Sequence, residues 1–208
     1  MPLIYQHQIN GSTKIGVWHI AEEESFFLKK VPLQRSITHP HKRLQHLAGR
    51  YLLPELEPGF PSELIKIADT KKPFLENEAF HFSISHCADY AAVIISSHQR
   101  VGIDVEMVSE KIITIIPKFL TAEEMFLLLP GNIANTATLF WSVKESIYKW
   151  FGNGSVDFKK HIRIENLEKK DGSLIVSCSF LKENNIALQV HALFLNDHYL
   201  SWVTTDIH

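Results

Sequence analysis

Phe140-Trp141-Ser142-Val143-Lys144-Glu145-Ser146-Ile147-Tyr148-Lys149-Trp150 decides how the second half of the chain is read. As a helix it sets Phe140, Val143, Ile147 and Trp150 on one apolar stripe, at i, i+3, i+7 and i+10. Trp141, Glu145 and Lys149 then form a neighbouring stripe at i, i+4, i+8, with Lys144 beside it. A carboxylate flanked by two ammonium groups, on a helix anchored by its other side, suits a phosphate and metal site. The plainer alternative is a solvated i,i+4 Glu–Lys pair, worth only ~0.3–0.5 kcal/mol.

A second stretch upstream weighs against that alternative. Val101-Gly102-Ile103-Asp104-Val105-Glu106 alternates with period two, so a strand here points Asp104 and Glu106 to one face. Two carboxylates side by side repel by roughly 3 kcal/mol at ~5 Å and an effective dielectric of ~20. A solvated edge would screen this, and a hard divalent cation would remove it. Magnesium takes one or two carboxylates plus substrate phosphates and water. Asp104, Glu106 and Glu145 together can supply that shell.

The pair of motifs, Gly102-Ile103-Asp104-Val105-Glu106 and Trp141-Ser142-Val143-Lys144-Glu145-Ser146-Ile147-Tyr148-Lys149, resembles the 4′-phosphopantetheinyl transferases, in particular their surfactin-synthetase-type branch within the holo-acyl-carrier-protein synthase superfamily. A separation of about forty residues also suits that family. The resemblance extends from Arg43 to about Phe158, more than half the chain.

Composition narrows the classes independently. The chain has 208 residues, 45% of them hydrophobic, enough for a sizeable core in one large or two small domains. Lys and Arg number 21 against 23 Asp and Glu, so no global basic field points to nucleic acid. The 12 His form no zinc-type spacing. Cys87 and Cys178 stand far apart and read as buried thiols. No secretory leader is seen at the start and no run reaches membrane-spanning length, so a cytoplasmic protein is expected.

In the first half, Lys14 to Ala21 reads as a strand and Glu22 to Lys30 as a short helix. Thr38-His39-Pro40 opens a longer helix with core positions Leu44, Leu47, Ala48, Tyr51 and Leu52, stopped by Pro54. Arg43, His46 and Arg50 fall on another face. The stretch Lys42 to Arg50 is similar to a family segment that grips the 3′-phosphate of coenzyme A, which makes Arg43 and Arg50 candidate ligands; a solvated basic face is the alternative. Lys71-Lys72-Pro73 stands where the family has Gly-Lys-Pro, so Lys72 is the residue facing a coenzyme phosphate. Phe82-Ser83-Ile84-Ser85-His86-Cys87 resembles the family's Phe-Asn-Ile-Ser-His-Ser, with Ser83 and Cys87 departing and Ser85 and His86 retained. A hydroxyl and an imidazole at a strand end can both bond phosphate oxygens. The strands ending at Cys87 and Ser97, with the Asp104 strand, are expected to form a three-stranded sheet under the Leu44–Leu52 helix.

In the second half, Thr121-Ala122-Glu123-Glu124 reads as a capping box opening a helix to Leu129. Asn135 or Thr136 is expected to cap the Glu145 helix, and Gly152-Asn153-Gly154 to end it. Four further runs, with turns at Lys170-Asp171-Gly172, Glu183-Asn184-Asn185 and Asn196-Asp197, suggest an antiparallel meander.

The resemblance implies an α+β fold of two similar halves related by a pseudo-two-fold axis, each an antiparallel sheet packed with helices, with the active site in the cleft between them. Residues 1–104 are expected to form the first half and 105–208 the second. It implies transfer of the 4′-phosphopantetheine arm of coenzyme A to a serine of an acyl or peptidyl carrier protein, releasing 3′,5′-ADP. Magnesium, or manganese in its place, is assigned to Asp104, Glu106 and Glu145. Lys144 and Lys149 are assigned to the diphosphate. Arg43, Arg50, Lys72, Ser85 and His86 are assigned to the coenzyme's phosphates. The proton of the carrier serine goes to Glu145, to a water beside it, or to Glu106. The carrier, a small acidic helical partner, is expected on the apolar Ile112–Leu128 region near Lys111 and Lys118, whose alternative reading is core packing. A monomer is expected. A magnesium-dependent phosphodiesterase or diphosphatase, or a non-catalytic carrier-binding or coenzyme-binding module, are the alternative functions.

Overall fold

A computed structural model describes residues 2–33, 36–170 and 172–207. The middle of the turn expected at Lys170-Asp171-Gly172, Asp171 itself, lies outside the described residues. Secondary structure begins with β1 (Leu3–Asn10), β2 (Thr13–His19), α1 (Glu24–Leu28) and α2 (Pro40–Leu56). Short strands β3 (Lys66–Ile67) and β4 (Pro73–Phe74) pair with each other, and β5 (His81–Cys87), β6 (Tyr90–Ser96) and β7 (Gln99–Met107) follow. Next come a 3₁₀ segment, Glu110–Ile115, then α3 (Ile116–Phe119), α4 (Ala122–Met125), α5 (Ile133–Phe151) and α6 (Phe158–His161). The chain ends in β8 (Ile162–Lys170), β9 (Ser173–Phe180), β10 (Ile186–Leu195) and β11 (His198–Asp206).

The architecture is α+β with antiparallel sheets. By its internal contacts the chain divides into a first unit, running to Val101 and taking in Asp206, and a second unit, Gly102–Thr205.

The first unit holds a four-stranded sheet in the order β1-β2-β6-β5, antiparallel throughout. Helix α2 packs on it through Leu47, Ala48, Tyr51 and Leu52, against Phe82, Ala91, Val93 and Ile95. The His39 ring accepts from the Lys42 amide and Pro40 takes the first turn, where its missing N–H costs nothing. Two expectations are corrected here. Pro54 does not stop α2, which runs on to Leu56. Leu53 (0% exposed) and Leu56 (3%) are buried in the core, and that packing outweighs one lost backbone bond. The Asp104 strand does not join this sheet, and β1, which no apolar alternation announces, takes the far edge.

The second unit holds the five-stranded sheet β7-β11-β10-β9-β8, and its β8–β11 portion is the expected meander. Helix α5 seats Phe140, Val143, Ile147 and Trp150 in the core, at 0, 0, 0 and 3% exposure. Gly152 ends it in the left-handed conformation (φ 75°), its N–H on the Tyr148 carbonyl. The N-cap is Asn132, one turn earlier than expected. Thr136 and Thr138 return their hydroxyls to the carbonyls of Asn132 and Ala134, so they are satisfied inside the helix. Asn135 instead accepts a hydrogen bond from the Tyr199 hydroxyl. Thr121 and Glu124 form the reciprocal capping box of α4. That helix ends at Met125 rather than Leu129, and the chain continues in i→i+3 turns. Among the described residues no helix is long and apolar enough to cross a membrane.

Candidate active site

Strand β7 and helix α5 meet at Gly102. A Cβ built there would lie 2.1 Å from the Ser146 carbonyl oxygen and 2.6 Å from the Trp150 nitrogen. Only a residue without a side chain lets the two backbones approach this closely. Two residues along β7 comes Asp104, and one turn back from Trp150, on the adjoining face of α5, comes Glu145.

The approach brings the two sequence motifs into contact. The Lys149 ammonium lies 2.6 Å from Oδ1 of Asp104, with the Asp104 side chain 3% exposed and that of Lys149 24%. One turn before Lys149, the Glu145 carboxyl is pushed up to about 7. Burial is the largest cause, followed by the negative charge of Asp104; Lys149 opposes the shift and Glu106 adds to it. Oε1 of Glu106 accepts from the Trp141 indole N–H at 3.3 Å. Three carboxylates from a strand and a helix therefore share one electrostatic neighbourhood, with a lysine inside it.

Among the described residues no group of three or more His, Cys, Asp or Glu side chains is arranged as a ready metal cage. In this arrangement the Lys149 ammonium supplies the positive charge at Asp104. The donor set is nevertheless all carboxylate oxygen, the chemistry that suits a hard dication. The repulsion that helps raise Glu145 is what such an ion would relieve. By donor type and charge, Asp104, Glu106 and Glu145 fit magnesium.

Lys144 is placed differently from expectation. It sits at 0% exposure, with its ammonium 2.7 Å from Glu124 Oε1. It also donates to the carbonyls of Phe119, Phe158 and Ile162 at 2.8, 3.0 and 2.8 Å. Glu124 in turn accepts from the amides of Thr121 and Ile164, each at 2.8 Å. Burial pulls the Lys144 pKa below the ordinary lysine range, against the pull of Glu124. An ammonium so enclosed is a structural ion pair and not a phosphate contact, so that assignment is corrected.

The candidate phosphate residues of the first unit lie on α2, on β5 and just before β4. Arg43 pairs with Glu24 at 2.7 Å through Nη2 and 2.8 Å through Nε, and Nη1 reaches the Ile37 carbonyl. Arg50 is buried at 6% exposure on the same helix. Ser85 is buried and His86 exposed near the end of β5. Lys72 has its pKa lowered to about 8, by burial first and by the charge of Arg100 second. The same two cations help lower the pKa of His81, at the start of β5, with burial again the larger cause. From His81 to His86 is roughly 15 Å along a strand. Lys72 thus shares an electrostatic neighbourhood with His81 and Arg100.

The expected docking region is apolar and partly open. Ile113 is 41% exposed and Phe126 88%, and Leu129, just past the region, 52%, with Lys111 and Lys118 also exposed. Ile112, Ile115, Leu127 and Leu128 turn inward onto the core of the second unit, so part of the stretch is packing.

Gly102, Trp141, Arg100 and His81 were not among the expected site residues. The glycine had a sequence signal, since an isolated glycine in a strand marks a close backbone approach. Arg100 had none beyond its charge.

The family model described as the 4′-phosphopantetheinyl transferase superfamily matches residues 100–203. Among curated proteins, the chain is 35% identical over 117 residues to enterobactin synthase component D of Salmonella austin, covering 54% of this chain and 49% of that protein. It is 32% identical over 111 residues to the 4′-phosphopantetheinyl transferase gsp of Aneurinibacillus migulanus, covering 52% of this chain and 46% of that protein. The chain thus spans about half the length of the curated relatives it matches.

Proposed function

This chain belongs to the 4′-phosphopantetheinyl transferase superfamily, and from that premise we propose that it transfers the 4′-phosphopantetheine arm of coenzyme A to a serine of an acyl or peptidyl carrier protein, releasing 3′,5′-ADP. The observation that carries the proposal is the contact of Lys149 with Asp104 beside a Glu145 carboxyl raised first by burial and then by its acidic neighbours. It joins the strand motif to the helix motif in one small acidic and basic site.

The serine oxygen attacks the β-phosphorus of the coenzyme diphosphate, and negative charge builds on the departing 3′,5′-ADP. Asp104, Glu106 and Glu145 would hold magnesium, or manganese in its place, which when bound neutralises that charge. Lys149 adds a second positive charge at the same place. We assign the serine proton to Glu145, directly or through a water. Were Glu145 also to hold a dication, its carboxyl would be less basic, which favours the water route.

Arg43, Arg50, Lys72, Ser85 and His86 are assigned to the phosphates of the coenzyme. Each of the two units pairs an antiparallel sheet with a long helix, which supports reading them as similar halves. The exposed apolar side chains Ile113, Phe126 and Leu129, near Lys111 and Lys118, are the surface we assign to an acidic carrier. The proposal includes a monomeric, cytoplasmic enzyme of the holo-acyl-carrier-protein synthase type, with neither nucleic acid nor membrane among its partners.

The test combines the protein with apo carrier, coenzyme A and magnesium, followed by the intact mass of the carrier. Gain of one phosphopantetheine mass is the expected result. Hydrolysis of coenzyme A with an unmodified carrier would replace this reading with a diphosphatase, and no change at all with a binding module.

A further inference from the structure

We infer that Trp141 is a positioning residue, whose indole N–H orients the Glu106 carboxylate and whose own ring is set by the buried Lys144–Glu124 pair. The inference rests on the carboxylate site proposed above.

Glu106 is only partly buried on its strand, and a glutamate there has side-chain entropy to lose on being fixed. The N–H of Trp141, 3.3 Å from Oε1, restricts that freedom from outside the strand. The indole ring is itself held. Phe119 meets it nearly edge-on, with centroids 5.2 Å apart and planes at 79°, and Phe158 lies at 5.4 Å on a tilt.

Those two phenylalanines are the residues whose carbonyls accept from Lys144, at 2.8 and 3.0 Å. One buried ammonium thus ties the backbone of α3 and the start of α6 to α5, and so fixes the two rings that hold Trp141. Glu124 balances its charge at 2.7 Å and is anchored by the Thr121 and Ile164 amides. The contacts run without a break from Glu124 through Lys144 and the two phenylalanines to Trp141 and Glu106. Lys144, fully enclosed, acts on the site only through this path.

The test is a manganese titration followed by electron paramagnetic resonance, with coenzyme A present and no carrier. The proteins are wild type, Glu106→Gln, Trp141→Phe, Trp141→His and the Glu106→Gln/Trp141→Phe double variant, with circular dichroism melts alongside. Glu106→Gln and Trp141→Phe are each expected to weaken manganese binding about tenfold. Trp141→His, which keeps a ring N–H, is expected to recover part of the loss. The double variant is expected to bind no worse than Glu106→Gln alone.

Wild-type affinity in Trp141→Phe, or independent losses that add in the double variant, would overturn the inference while leaving the carboxylate site intact. Wild-type affinity in Glu106→Gln would overturn the site itself, and the inference with it. Should Trp141→Phe not fold, affinity in Trp141→His decides: no better than a tenfold loss, with a native melt, overturns the role given to the N–H.

Discussion

The ammonium of Lys149, on a helix, and the carboxylate of Asp104, on a strand, meet at 2.6 Å, yet the two side chains are unequally buried, at 24% and 3% exposure. This asymmetry predicts unequal consequences of removing either one. Lys149→Met removes the ammonium that faces a buried carboxylate and is expected to cost about 3 kcal/mol of stability. Asp104→Asn leaves a lysine that can turn to water, and is expected to cost under about 1 kcal/mol. Both are expected to lower transfer by about two orders of magnitude or more. Urea melts and single-turnover assays check the two effects. Equal destabilisation by both substitutions would contradict the burial argument.

Gly102 provides a purely steric test. In Gly102→Ala, the new methyl carbon would lie 2.1 Å from the Ser146 carbonyl, a backbone atom that cannot swing aside. The helix and strand must separate, at a cost of about 3 kcal/mol. A folded variant is expected to lose transfer through misplacement of Asp104 against Glu145 and Lys149. A melting temperature within a degree or two of wild type would show that the two backbones do not hold this approach.

Lys144 separates a structural from a ligand role. Lys144→Met leaves Glu124 and three carbonyls without their ammonium, so a loss of about 3–5 kcal/mol is expected. At a temperature where the variant stays folded, its KM for coenzyme A is expected to change no more than that of Trp141→Phe, because Lys144 reaches the site only through that ring. A raised KM without loss of stability would return Lys144 to the diphosphate.

Much of this was legible in the sequence, for identifiable reasons. Helix α5 has a strong 3.6-residue stripe, a glycine stop and a core face that burial only sharpens. The Thr121–Glu124 box specifies its own geometry locally. Lys144 was misread although the periodicity contained the answer. Phe140, Lys144, Ile147 and Phe151 recur at i, i+4, i+7 and i+11, so the lysine stands on the core face, where only a buried carboxylate makes it tolerable. That carboxylate, Glu124, was read as a cap, and nothing local shows that it also reaches a lysine twenty residues on. Strand β1 was missed because its pattern is largely exposed and its pairing energy is in the backbone. Pro54 and the joining of β7 to the second sheet are set by tertiary burial, which local signals do not report.

Lys72 gives a pH prediction. Its folded pKa, about 8, lies below the ordinary lysine value of 10.5, because burial and Arg100 disfavour the charge. The charged form is therefore a cost to the folded state, present in full below pH 8. That cost fades as pH rises from 8 toward 10.5, so this group makes stability increase across that window. Lys72→Met is expected to stabilise the protein at pH 7 by about 1 kcal/mol, a value discounted for partial exposure, while raising the KM for coenzyme A. The wild-type KM is expected to climb above pH 8, where the ammonium is lost. A KM flat from pH 7 to 9 would remove Lys72 from the coenzyme site.

Glu145, in the second unit, gives the opposite sign. Its folded pKa is raised from 4.5 to about 7, by burial first and by Asp104 next. The folded state thus holds a proton that the unfolded chain has released. Any stability it contributes relative to a charged group is complete below pH 4.5 and is lost as pH rises through 7. Without a divalent cation, Glu145→Gln is expected to be more stable than wild type at pH 8, by about 1–2 kcal/mol after discounting partial exposure. The gap is expected to close by pH 4.5. Adding magnesium with coenzyme A is expected to stabilise wild type and not the variant, because a dication favours the ionised carboxyl that the glutamine lacks. Thermal melts at pH 4.5 and 8, with and without those two additions, measure all four terms. Equal stabilisation of both proteins by magnesium and coenzyme A would exclude Glu145 as a ligand of the ion.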